Sequence, residues 1–201
     1  MPSPNSSVVK VAEADFPTRF GQFQIFGFRS GDEEAIAIVM GKIATPSPPP
    51  LVRIHSQCIT GDVFHSLRCD CRAQLELALA MIAAEGRGVV IYENKEGRGI
   101  GLVNKIRAYE LQDRGADTVE ANEQLGFEAD LRDYELPAGV LHLLGADAVR
   151  LLSNNPEKIQ ALERAGVRVA ERIPCQPEPL DSTARYLSTK KEKLGHLLEG
   201  Y

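Results

Sequence analysis

Cys58, Cys69 and Cys71 follow one another as C-x10-C-x-C, while Cys175 stands alone more than a hundred residues later. Cysteines separated by one residue fit disulfide geometry poorly, and a chain of 201 residues has no need of staples. Soft thiolates favour zinc among the common metals. Three protein ligands leave a catalytic zinc with an open position, whereas four close a structural one. The cluster supplies three; Cys175, His55 or His65 is available as a fourth. The paired CxxC of structural zinc modules is absent, which favours the open site. The bland alternative is three inert thiols packed as small hydrophobes. An open zinc activates water near neutral pH, so the chemistry expected is hydrolytic attack on an electrophilic carbon.

Two flanking features suit a substrate. Arg53, His55 and Gln57 alternate, which puts them on one face of a strand leading into the first thiol. Such a face is either a substrate wall or a solvated exterior. Glu96-Gly-Arg-Gly-Ile-Gly101 lies between a strand and a helix, where turn amides and Arg98 suit an anion. It lacks the Lys-Ser/Thr of a Walker loop and does not match GxGxxG, so a purely structural glycine turn is the competing reading.

These groups need elements to position them. Strands are predicted over 20–28, 34–43, 51–58, 89–92, 149–152 and 167–173. Helices are predicted over 73–85, 102–113, 133–144 (interrupted near Pro137), 156–165 and, as a basic helix, 182–198. Thr45 to Pro50 reads as a stiff extended loop, and residues 1–8 as a frayed terminus. The alternation predicts a single α/β domain over 1–201. It would be a three-layer α/β/α arrangement with a mixed, partly parallel sheet and an N-terminal antiparallel hairpin. With 43% hydrophobic and 25% charged residues the composition is that of a globular chain. A net charge of −5 disfavours broad nucleic-acid binding, though local basic clusters suit a phosphate ester. Apolar runs such as Ala35–Met40 are too short to span a bilayer, and MPSPNSSVVK has no signal core, so a cytoplasmic setting is expected.

Taken together the segments resemble GTP cyclohydrolase II, the first committed enzyme of riboflavin synthesis. The residues that carry the resemblance are RIHSQCITGD at 53–62, SLRCDC at 66–71, EGRGIGLVNKIRAYELQDRGADTVEAN at 96–122, LGFEADLRDY at 125–134 and LLSNNPEKI at 151–159. No synthase domain precedes them, as expected of the monofunctional form. The resemblance implies opening of the GTP imidazole ring, with formate and pyrophosphate released and 2,5-diamino-6-(5-phosphoribosylamino)pyrimidin-4-one formed. It implies one Zn2+ per subunit on Cys58, Cys69 and Cys71, and Mg2+ with the GTP phosphates. Tyr109 matches a tyrosine beside the reacting ring, Asp130 a proton acceptor and Arg132 a nucleophile. A guanidinium is a poor nucleophile, so Arg132 is better read as a phosphate-site residue. Substrate contacts fall on Arg53, Ile54, His55, Ser56, Gln57, Gln74, Glu96, Gly97, Arg98, Thr118, Ser153 and Lys158. Of these, Arg53, Arg98 and Lys158 suit phosphate, and Gln74 and Glu96 a base edge. A homodimer is also implied, with GTP as partner and neither nucleic acid nor membrane.

The sequence departs from the family pattern in three places. Gln57 stands where glutamate is usual, Arg72 replaces a glycine after the last thiol, and 178–186 lacks customary asparagines. The pattern YLxTKxxKxGH over 186–196 is kept. These departures leave an alternative: an altered paralogue that binds a purine nucleotide without standard turnover. A nucleobase deaminase is disfavoured because H-x-E with P-C-x-x-C is missing.

Overall fold

The computed structural model describes residues 7–44, 48–128, 132–178 and 183–198, with the side chains of 184 and 185 left aside. Seven strands form one mixed sheet: β1 (Val9–Thr18), β2 (Gly21–Ser30), β3 (Glu33–Met40), β4 (Leu51–Ser56), β5 (Gly88–Glu93), β6 (Ala148–Leu152) and β7 (Arg168–Ile173). Their order is β1-β2-β3-β5-β4-β6-β7. The pairs from β1 through β3 to β5 are antiparallel; β5, β4, β6 and β7 run parallel. Seven helices are described: α1 (Ile59–Asp62), α2 (Cys71–Glu85), α3 (Leu102–Asp113), α4 (Thr118–Gln124), α5 (Glu135–Leu143), α6 (Pro156–Arg164) and α7 (Ala184–Leu194).

The two-residue period of the strands decides the layers. Val52, Ile54, Val89 and Ile91 face a core that includes Leu136, Val140 and Leu141 of α5 and Leu162 of α6. Leu51 and Val90 face the other way, onto Ala78, Leu79 and Ile82 of α2. Parallel strands buried on both faces read as continuous apolar runs, as GVVIYE of β5 does. Each buried aliphatic side chain contributes on the order of 1.5–3 kcal/mol. The three-layer α/β architecture expected from the sequence is therefore present.

The details differ in four places. The hairpin is a three-stranded meander, because β1 joins as an edge strand. Its residues are almost all exposed, and the apolar-polar alternation of VKVAEADF, broken once by the bulge between Lys10 and Ala12, was a strand signal left unread. α4 also went unread, although Asp117 and Glu120 form a capping box at its start. Pro137 does not interrupt α5: it sits in the first turn, where an N–H has no helical partner to lose. The last helix is shorter than predicted, ending at Gly195 in the left-handed conformation (φ 62°). Residues 1–6, most of the predicted frayed terminus, lie outside the described residues, as do 45–47 of the extended loop. Among the described residues no helix is long and apolar enough to cross a membrane.

Candidate active site

The site gathers where the parallel strands end. Ser56 and Glu93 close β4 and β5, and Ser153, Asn154 and Asn155 follow β6. Ligands of open parallel sheets bind at these carboxyl ends.

Cys58 leaves β4 as the N-cap of α1, Cys69 lies in the following turn, and Cys71 opens α2. Strand end and helix start thereby bring three distant sulfurs together, all within 4.8 Å of one another. The Cys58 and Cys69 Sγ atoms are 3.6 Å apart. Gly61 makes room for them, since a Cβ there would lie 2.8 Å from Cys69 Sγ. Lys105 Nζ donates to Cys58 Sγ at 3.1 Å. Hydrogen bonds from Cys69 and Cys71, then the Lys105 charge, hold the Cys58 thiol far below its usual range. The same sharing pushes Cys69 up to about 11, and Cys71 well above the usual thiol value. One thiolate is thus comfortable and three are not, unless a divalent cation lies among them. The donor set fits zinc.

The possible fourth ligands are engaged elsewhere. Cys175 is fully buried and donates to the Gln74 carbonyl at 3.6 Å. His65 meets Arg72 Nη1 at 2.8 Å. His55 Nε2 lies 3.2 Å from both oxygens of Asp62, which also accepts from Cys58 N at 3.0 Å and Tyr92 OH at 2.9 Å. Burial outweighs the Asp62 hydrogen bond and lowers the His55 pKa, so a neutral imidazole donates from Nε2. Asp62 therefore clamps α1, β4 and β5 beneath the first thiol.

Glu96 and Lys105 join the thiols to the glycine turn. Glu96 accepts from Ile59 N at 2.7 Å, Lys105 Nζ at 2.7 Å and Gly97 N at 3.0 Å. Lys105 also donates to Thr60 Oγ1 at 2.9 Å, which in turn bonds Tyr109 OH at 3.1 Å. Lys105 and Tyr109 are one helical turn apart on α3 and so share a face. The Arg68 guanidinium lies 4.8 Å over the Tyr109 ring. Burial raises the Tyr109 pKa, with Thr60 and Lys105 opposing. In the turn itself Arg98 adopts φ 62°, a conformation that a residue with a side chain visits at a cost. Its Nη1 is buried without a hydrogen-bond partner.

At the other end the charges are cationic. Arg53 donates from Nη1 to Leu152 O at 2.9 Å and from Nη2 to Gln74 Oε1, and Gln74 Nε2 donates to Asp70. Lys190 Nζ closes this buried chain on Asp70 at 3.0 Å. Lys158 donates to Ile54 O at 2.8 Å. Arg132 donates to Ser56 Oγ at 3.2 Å, which donates to Glu93 at 2.6 Å. Burial raises the Glu93 pKa, against Lys158 and Ser56, and its second oxygen is buried without a partner.

Thiols and cations face one cleft of about 1100 Å³, open to solvent. Arg53, Arg68, Lys95, Arg98, Lys105, Arg132, Lys158 and Lys190 line it, and Glu96 is the one carboxylate among the described lining residues. Such a field attracts an anion. Of the residues singled out in the sequence, Arg53, His55, Ser56, Gln57, Gln74, Glu96, Gly97, Arg98, Tyr109, Thr118, Arg132, Ser153 and Lys158 line the cleft with the three thiols. The alternating face of β4 is no solvated exterior: Arg53 and His55 are buried. The Ile54 side chain lies in the core, and only its carbonyl reaches the site, through Lys158. Asp130 lies outside the described residues. Sequence reading missed Lys105, Arg68, Asn122, Tyr186, Lys190 and His196, which also line the cleft. A signal was present for each: Arg68, Lys105 and Asn122 fall inside the family segments quoted above, Tyr186, Lys190 and His196 inside the kept pattern over 186–196, and Lys105 also stands four residues before Tyr109.

A family model described as GTP cyclohydrolase II matches residues 9–174. The GTP cyclohydrolase-2 of Pseudomonas paraeruginosa (strain DSM 24068 / PA7) is 57% identical over 194 residues, 96% of this chain and 94% of that protein. The GTP cyclohydrolase-2 of Haemophilus influenzae (strain PittGG) is 52% identical over 190 residues, covering 94% and 88%. That of Buchnera aphidicola subsp. Schizaphis graminum is 52% identical over 193 residues, covering 95% and 98%.

Proposed function

The chain belongs to the GTP cyclohydrolase II family and is a hydrolase of that type; from that premise we propose that it opens the GTP imidazole ring for riboflavin synthesis, releasing formate and pyrophosphate. The pyrimidine product named above follows from that chemistry. The observation that carries the reading is the two-ended cleft, with three converging thiols at one end and fixed cations at the other.

Cys58, Cys69 and Cys71 would hold zinc. When bound, zinc supplies Lewis-acid chemistry at that end of the cleft. The chain's own residues do the rest. Asp62 holds the Cys58 backbone in place, and Lys105 steadies its sulfur. Tyr109, kept protonated by burial, offers a phenolic hydrogen bond to the ring of the base. Arg98, Arg132 and Lys158 orient the phosphates, which bring Mg2+ with them, and stabilise charge as it develops. Arg132 acts here as a charged donor and not as a covalent nucleophile, in keeping with its hydrogen bond to Ser56. Arg53 and Gln74 hold each other, so their part is to shape the cleft wall. Asp130 is retained as the proton acceptor on the family resemblance alone. A homodimer comes with the same resemblance.

The departure at Arg72 does not crowd the cleft. Its side chain turns to the Asp62 carbonyl at 2.9 Å and to Glu76 at 2.8 Å, bracing the loop before α2. Gln57 does line the cleft, and it alone favours the second reading, nucleotide binding without standard turnover. One incubation separates the two. Zinc-loaded protein with Mg2+ and GTP should yield formate and the pyrimidine. Tight GTP binding with neither product would establish the second reading instead.

A further inference from the structure

His196 lies beyond the residues matched by the family model, which end at 174. Three attachments fix the helix that carries it. Lys190 pairs with buried Asp70 at 3.0 Å. Lys193 pairs with Asp117 and, at 2.8 Å, with Glu120 at the start of α4. Leu197 N donates to Asn154 O at 2.8 Å. The left-handed Gly195 then turns the chain so that His196 N meets Lys190 O at 3.0 Å, and the imidazole lines the cleft.

That imidazole shares the cleft with the cationic residues of its wall. The charges that bear most on it are all cations: Lys190 of α7, Arg98 of the glycine turn, Arg132 ahead of α5 and Lys158 of α6. Burial first, then these four, push its pKa down to about 3, so the free ring is neutral and keeps one N–H donor. Lys190 is already paired with Asp70, while Arg98, Arg132 and Lys158 line the same cleft as the imidazole and together suit an anionic ligand. Arg98 Nη1, buried and unpartnered, marks the same need for an acceptor. An anion there would accept from the imidazole and favour its protonation.

We propose that His196 is a substrate-binding residue, delivered by α7, whose ring donates a hydrogen bond to the polyphosphate of a nucleoside triphosphate held among Arg98, Arg132 and Lys158. This rests on the nucleotide reading above, and the probe is chosen to separate the two. Inorganic triphosphate is titrated calorimetrically into the native protein and into His196→Ala, His196→Asn and His196→Gln, with circular dichroism confirming the fold. His196→Ala should weaken binding roughly tenfold or more, the size of a charge-assisted hydrogen bond. Asn or Gln, which put an amide donor near the Nδ1 or Nε2 position, should recover most of it. Native-like affinity in His196→Ala overturns the proposal. So does a loss that neither amide repairs, or native protein that does not bind triphosphate. A His196-dependent affinity without formate release from GTP would instead support this site and sink the ring-opening reading.

Discussion

The two ends of the cleft are built by opposite rules. The thiol end comes from a short stretch, 58–71, folded back on itself by α1 and the start of α2. The cationic end is collected from Arg98, Arg132, Lys158 and Lys190, which no short stretch contains. Each end suits a ligand of opposite sign: a soft cation for the thiols, a polyphosphate for Arg98, Arg132 and Lys158, with Lys190 already paired to Asp70. Between them Lys105 and Glu96 form a neutral hinge of charge, one touching Cys58 and the other holding Ile59 N. Like charge gathered before a ligand arrives costs stability, and that cost is recovered on binding.

The largest test breaks the thiol end alone. Cys69→Ser should lose bound zinc and lower formate release at least about a hundredfold. Cys175→Ser should keep its metal content, because that sulfur is turned to the Gln74 carbonyl. Metal analysis of both purified variants decides whether the cluster has three members or four. Equal zinc loss in the two would erase the distinction drawn between these sulfurs.

Next in size is the link between the ends. Lys105→Met removes the cation 3.1 Å from Cys58 and leaves buried Glu96 without its ion pair. A fall of about 10–100-fold in kcat/KM is expected, the usual range for residues that support ligands. Steady-state kinetics with GTP measures it, and an unchanged value would show that the ends work independently.

The smallest effect concerns the floor of the cationic end. Burial raises the Glu93 pKa above the unfolded value of about 4.3. A raised pKa contributes stability that is complete below the unfolded value and is lost as pH rises through the folded one. Glu93→Gln cannot ionise, so its stability relative to the native protein should improve as pH rises from the unfolded value through the folded one, and then level off. Urea midpoints across that range check the sign. A relative gain at low pH would mean that the neighbouring cations, not burial, govern this carboxyl.

How much was legible follows the same division. The sulfurs could be read because metal ligands sit close in the chain, so spacing nearly dictates geometry. Buried strands such as GVVIYE and the capped α6 carried their own patterns. β1 carried an alternating signal in VKVAEADF, but a bulge between Lys10 and Ala12 shifts its phase and the strand was passed over. Lys190 and His196 belong to the kept pattern over 186–196, but their place in the cleft could not be read, because a basic C-terminal helix reads as solvated surface until something packs against it.

The sequence by itself determined the α/β class, the three-thiol cluster and the chemistry those thiols invite, since all depend on local period and spacing. Only the tertiary structure decided that Cys175 stands apart, that Lys105 serves Cys58, and that Arg98, Arg132, Lys158 and Lys190 share one cleft with His196. Those facts depend on which strand ends meet and where α7 docks. Contacts between residues a hundred positions apart are set by packing of the whole chain, and no short window of sequence contains them.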